Sequence, residues 1–267
     1  MPAERLRDRL VSSVIAALVL LGIFLLAPRL AGAAVLATLV LAGAWEWAGF
    51  LPRSNNTTRV VYLLAVALAL GLAWAFARMH LTPILWIALG WWLLAFFWVL
   101  RFPTPIPRWL VMAGGLFVLV PGWLALASLH VDVGPAWLIY FFIVIAAADT
   151  GAYFSGRAFG RTKLAPRVSP GKTWEGAIGG LVVVAAVGFA GSLLLNQPLL
   201  FLVPLSIAVG MASIVGDLTM SMFKRHAGLK DSGRLFPGHG GILDRIDSIA
   251  AGAPLFMLGV GWTALVT

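Results

Sequence analysis

The chain has 267 residues, of which 61% are hydrophobic and 11% charged, against about 25% charged in soluble domains. That excludes a water-soluble globular protein, and long apolar runs without alternation exclude an outer-membrane barrel, leaving an all-α polytopic membrane bundle whose helices satisfy their own backbone groups. The absence of cysteine rules out disulfides and thiolate metal sites, and the net charge of +9 sits in short interhelical loops, where topology rather than nucleic acid accounts for it.

Hydropathy and turn signals place nine spans, at residues 10–27, 31–51, 60–78, 83–100, 110–129, 136–154, 176–195, 199–220 and 247–266. The first run follows Arg5, Arg7 and Arg9 as a signal peptide would, but it is long enough to span and further spans follow, so it is expected to be retained. A cytoplasmic amino terminus puts all nineteen Lys and Arg except Arg29 and Arg78 on one side, which fixes the orientation. Residues 1–135 are then expected to form a lipid-facing scaffold. Residues 136–267 are expected to form the region that carries the function, with cytoplasmic loops at 155–175 and 221–247. Trp45, Trp47, Trp109, Trp137 and Trp174 fall near span ends and are expected to anchor the interface. Gly176, Gly179, Gly180, Gly188 and Gly191 are expected to permit close helix packing.

Polar chemistry concentrates late in the chain. Asp149 and Asp217 follow the apolar runs AAAD and ASIVGD, where an unpaired carboxylate costs about 2.5–3.5 kcal/mol at the membrane centre. Asp217, Ser221 and Arg225 recur at helical spacing with Lys224 beside them, and Asp244 and Asp247 share a second helical face. Carboxylates from two helices suit magnesium, which takes one or two of them together with water and substrate phosphate. Lys224, Arg225, Lys230 and Arg245 would hold the remaining phosphate oxygens. Asp231 is expected to pair with its neighbour Lys230. Gly228, Gly233, Gly238, Gly240 and Gly241 suggest a loop whose backbone approaches phosphate closely.

The segment SPGKTWEG, from Ser169 to Gly176, is not a P-loop, because Pro166 stands where that motif needs glycine. Ser169 and Pro170 are expected to cap and open a helix that attracts anions, with Lys172 and Glu175 one turn apart. The histidines are too few for a zinc site; His239 is either a phosphate donor or a loop-stabilising hydrogen bonder.

Ser221, Lys224, Arg225, Lys230, Asp231, Gly233, Phe236, Pro237, His239, Gly240, Gly241, Asp244, Arg245 and Asp247 match the signature of the phosphatidate cytidylyltransferases, also called CDP-diglyceride synthases. The blocks ADTGAYFSGRAFGRTKLAPRVSPGKTWEG and GDLTMSMFKR resemble that family too, so the resemblance covers about residues 148–250. It implies transfer of a cytidylyl group from CTP to phosphatidic acid in a bacterial inner membrane, with magnesium, by a homodimer whose site faces the cytoplasm. It further implies Asp217 and Asp244 as metal carboxylates, with Asp149 and Asp247 either as further ligands or as supports just outside them, and Lys224 and Arg225 acting at the reacting phosphates. Ser169, Lys172, Ser221, Lys230, His239, Gly240, Gly241 and Arg245 are the implied phosphate contacts. A CDP-alcohol phosphotransferase also needs paired aspartates, but its DG and AR elements are absent around Asp244. A lipid transporter would spread polar residues through the membrane depth rather than cluster them on one side.

Overall fold

The computed structural model describes residues 18–76, 80–233 and 240–266, and within them the chain is a bundle of helices with one small hairpin. Helix α1 is described over residues 18–26. It is followed by α2 (Arg29–Trp47), α3 (Asn56–Phe76), α4 (Leu81–Arg101), α5 (Arg108–Ser128), α6 (Pro135–Phe159), α7 (Trp174–Leu194), α8 (Leu199–His226) and α9 (Leu243–Val266). The seven helices α2 to α8 are long and apolar enough to cross a membrane, which makes this a multi-pass membrane protein. Arg5, Arg7, Arg9, Arg78 and His239 lie outside the described residues.

Proline sets where several helices begin. Pro28, Pro107 and Pro198 occupy the caps of α2, α5 and α8, and Pro135 opens α6. A proline there gives up an N–H that the first turn leaves unpaired in any case. Side chains such as Leu64, Leu68 and Leu72 on α3 and Trp86, Leu93 and Leu100 on α4 point outward, which is stable against lipid and not against water.

Helix α5 is the central element, buried along most of its second half and packed on α2, α3, α4 and α9. Trp47 is fully buried and donates its indole N–H to Val111 O at 2.8 Å, so it ties α2 to α5 and does not anchor an interface as expected. Trp109 and Trp174 are exposed. Helices α6, α7, α8 and α9 form the other half, each of the first three packed on the next. The expected glycine contacts are present: a side chain on Gly180 would meet Ala148 O at 2.7 Å, and one on Gly188 would meet Val203 Cα at 3.1 Å.

Several helices outrun the apolar stretches that mark them. Helix α6 runs to Phe159, α8 to His226, and α9 starts at Leu243. With 28 residues, α8 is about 42 Å long, more than the ~30 Å of hydrocarbon it must cross. Polar ends of these three helices gather on one side of the bundle, and the hairpin lies beside them.

Candidate active site

The hairpin pairs β1 (Lys163–Ala165) with β2 (Ser169–Thr173) in antiparallel register. Ser169 and Pro170 therefore lie in a strand, and the expectation that they cap and open a helix is wrong. Thr173 is the cap of α7, its Oγ accepting from Gly176 N at 3.2 Å, because the extended strand ends only there. Glu175 likewise does not sit one helical turn from Lys172. Its carboxylate reaches back to accept from Arg161 N at 3.1 Å and Thr162 N at 3.0 Å, clamping the entry to the hairpin. Freed from the helix, Lys172 extends to α8 and forms an ion pair with Asp217. Arg225 Nε donates to Val168 O at 3.4 Å, so the cationic end of α8 also grips the hairpin.

Helices α8 and α9 cross at Gly216, where a side chain would collide with Asp247 O. This close approach brings Asp217 within electrostatic reach of Asp247, while α6 places Asp149 within the same reach of Asp217. Ser221 Oγ lies 3.4 Å from Asp217 Oδ1, one turn along α8, as their spacing predicts. Asp247 is buried and accepts from Ser248 N at 2.7 Å.

Asp244 belongs to an adjoining cluster. Lys224 Nζ donates to its Oδ1 at 2.6 Å, and its Oδ2 accepts from Ser232 N at 3.0 Å and Gly241 N at 3.1 Å. Asp244 precedes the apolar stretch of α9. Burial opposes its ionisation, but the Lys224 hydrogen bond and the Ser232 and Gly241 N–H groups outweigh that, holding its carboxyl below the usual range. Lys224 links the two clusters, since its charge also reaches Asp247. Lys230, Asp231 and Arg245 are exposed beside them, and Gly240 takes a positive φ of 81° close to Asp244.

One participant comes from the first half of the chain. Glu46, near the end of α2, is 3% exposed, and its Oε2 accepts from Leu243 N at 2.9 Å and from Ser232 Oγ at 3.1 Å. A lone carboxylate inside AGAWEWAGF is the signal that would have found it, by the rule that singled out Asp149 and Asp217. Ser232 carried no comparable signal.

Among the described residues no three acidic or histidine side chains converge as a preformed metal cage. Asp217 facing Asp149 and Asp247 nevertheless fits an ion that takes one or two carboxylates and completes its shell with water and substrate phosphate. Lysines paired to Asp217 and Asp244 balance that charge without ligand.

Residues 7–261 match the model of the Cytidylyltransferase family. A phosphatidate cytidylyltransferase of Pseudomonas aeruginosa is 40% identical over 275 residues, covering 97% of this chain and 99% of its own length. The protein of that name from Haemophilus influenzae is 39% identical, over 94% of this chain and 97% of its own. One from Brucella suis reaches 46% identity over 149 residues, 55% of each chain. Matched over residues 7–261 by one family and by two relatives that run nearly its full length, the chain belongs to the cytidylyltransferases.

Proposed function

We propose that this chain transfers the cytidylyl group of CTP to phosphatidic acid, giving CDP-diacylglycerol and pyrophosphate. The observation that carries the reading is the pair of lysine–carboxylate contacts, Lys172 with Asp217 and Lys224 with Asp244, set among Asp149, Asp247 and Arg225 at one end of a membrane bundle. Such a site holds positive and negative groups in balance until a polyphosphate arrives.

An oxygen of the lipid phosphate attacks the α-phosphorus of CTP, a new P–O–P link forms, and the bond to the β-phosphate breaks as pyrophosphate leaves. The attacking phosphate is already ionised, so no base need remove a proton, and catalysis rests on alignment and charge stabilisation. Lys172, Lys224 and Arg225 turn to phosphate oxygens, with Lys230 and Arg245 at the rim. Ser169, Ser221, His239, Gly240 and Gly241 supply further hydrogen-bonding groups. Magnesium held by Asp217 with Asp149 and Asp247, beside the cluster of Asp244, would supply further neutralisation of the triphosphate.

In this reading the chain crosses the inner membrane nine times from a cytoplasmic amino terminus, works as a homodimer, and takes its nucleotide from the cytoplasm. The test is purified protein given labelled CTP and phosphatidic acid, with magnesium or with a chelator. Pyrophosphate released only when lipid and metal are both present supports the reading; release without lipid, or no release, refutes it.

A further inference from the structure

We infer that Glu46 is a positioning residue that sets the loop ahead of α9 and, through Ser232, holds Asp244 opposite Lys224. Its carboxylate is buried and receives two hydrogen bonds, from Leu243 N at the start of α9 at 2.9 Å and from Ser232 Oγ in the loop at 3.1 Å. Ser232 Oγ also lies 3.0 Å from Asp244 Oδ2, and Ser232 N donates to the same oxygen at 3.0 Å. One serine thus joins two carboxylates. The chain of contacts runs from Glu46 through Ser232 to Asp244 and on to Lys224 at 2.6 Å.

Two glycines are shaped to this carboxylate. A side chain on Gly233 would collide with Glu46 Oε1, and one on Gly241 would collide with both Glu46 Oε2 and Ser232 Oγ. Their lack of a side chain is therefore required by the packing of Glu46, before any approach of phosphate is considered. The first half of the chain thus brings a buried carboxylate, that of Glu46, to the polar cluster.

Glutamine at 46 keeps an acceptor oxygen for Leu243 N and Ser232 Oγ, and puts its amide where Oε1 receives no hydrogen bond among the described residues. Leucine keeps the bulk and removes both acceptors. The experiment compares wild type, Glu46→Gln, Glu46→Leu and Ser232→Ala by amide hydrogen exchange over residues 228–243 and by steady-state kinetics with CTP and phosphatidic acid. The expected result is amide exchange at Ser232 and Leu243 about tenfold faster in Glu46→Leu, with KM for CTP up about tenfold and near-wild-type values in Glu46→Gln. Ser232→Ala shows the same KM rise in smaller measure.

A loss of folded protein would lower kcat and leave KM alone, so the KM change separates positioning from general damage. Wild-type exchange in Glu46→Leu, an unchanged KM, or a glutamine variant as impaired as leucine overturns the inference. If Glu46→Leu does not insert, Ser232→Ala decides, and unchanged exchange and KM there overturn it. The kinetic arm rests on the proposed cytidylyl transfer. A wild-type protein without turnover refutes that reading, and the exchange arm still decides the role of Glu46.

Discussion

The crossing of α8 and α9 at Gly216 can be probed by adding one methyl group. In Gly216→Ala the new carbon would fall against Asp247 O and lie 2.7 Å from Ala251 Cβ. Carbon atoms rest at about 3.5–4.0 Å, so the helices must part by about 1 Å. Asp217 is the next residue and faces Asp247 across this crossing, so parting the helices displaces the two carboxylates relative to each other. A displacement of about 1 Å in a reacting array can cost about 100-fold in rate. The overpacking itself costs about 1–3 kcal/mol, partly offset by the roughly 1 kcal/mol by which alanine favours a helix over glycine. Turnover of labelled CTP is therefore expected to fall about 100-fold while the thermal midpoint changes little. Gly71→Ala is the control, since nothing lies within 4 Å of the added carbon there. Its turnover should match wild type. Turnover of Gly216→Ala within about threefold of wild type would refute the claim that this crossing sets the carboxylate geometry.

Thr173→Ala removes the side-chain acceptor at the start of α7 and should lower stability by about 1 kcal/mol, with Thr173→Ser restoring it, as thermal unfolding will report. Because the folded-state pKa of Asp244 is depressed, its stabilisation is complete above the unfolded value of about 4 and is lost as pH falls through the lower folded value. The gap in thermal midpoint between wild type and Asp244→Asn should thus be constant from about pH 5 upward and shrink in stronger acid. A gap that widens in acid would contradict the assignment. Asp217→Asn removes the charge that Lys172 pairs with and should abolish turnover while the protein still inserts, which membrane fractionation with a CTP assay would check.

Much of the bundle could be read from apolar runs and from prolines, because both report directly on where a helix can start and which stretch can face lipid. Helix ends were less legible. Apolarity marks the membrane, whereas Arg157, Lys224 and Arg225 continue their helices beyond it, since polar side chains do not interrupt backbone hydrogen bonding. The hairpin is not legible in the sequence because Ser169-Pro170 has the composition of a helix start, and the true cap, Thr173, is distinguished only by the strand that precedes it. Partner choice was not legible either. Lys172 meets Asp217, which is distant in sequence, rather than the nearby Glu175, and nothing in local spacing encodes that preference. Trp47 looked like an interfacial residue by position, but its indole N–H finds Val111 O inside the bundle.

The length of α8 bears on how the two reactants meet. At about 42 Å the helix exceeds the ~30 Å of hydrocarbon, so in the proposed orientation its final turns, with Lys224 and Arg225, would extend beyond the acyl layer toward the lipid phosphates. A lipid substrate can then reach these cations by lateral diffusion, keeping its tails dissolved in the leaflet, so its encounter is a search in two dimensions. The nucleotide alone arrives from the bulk phase.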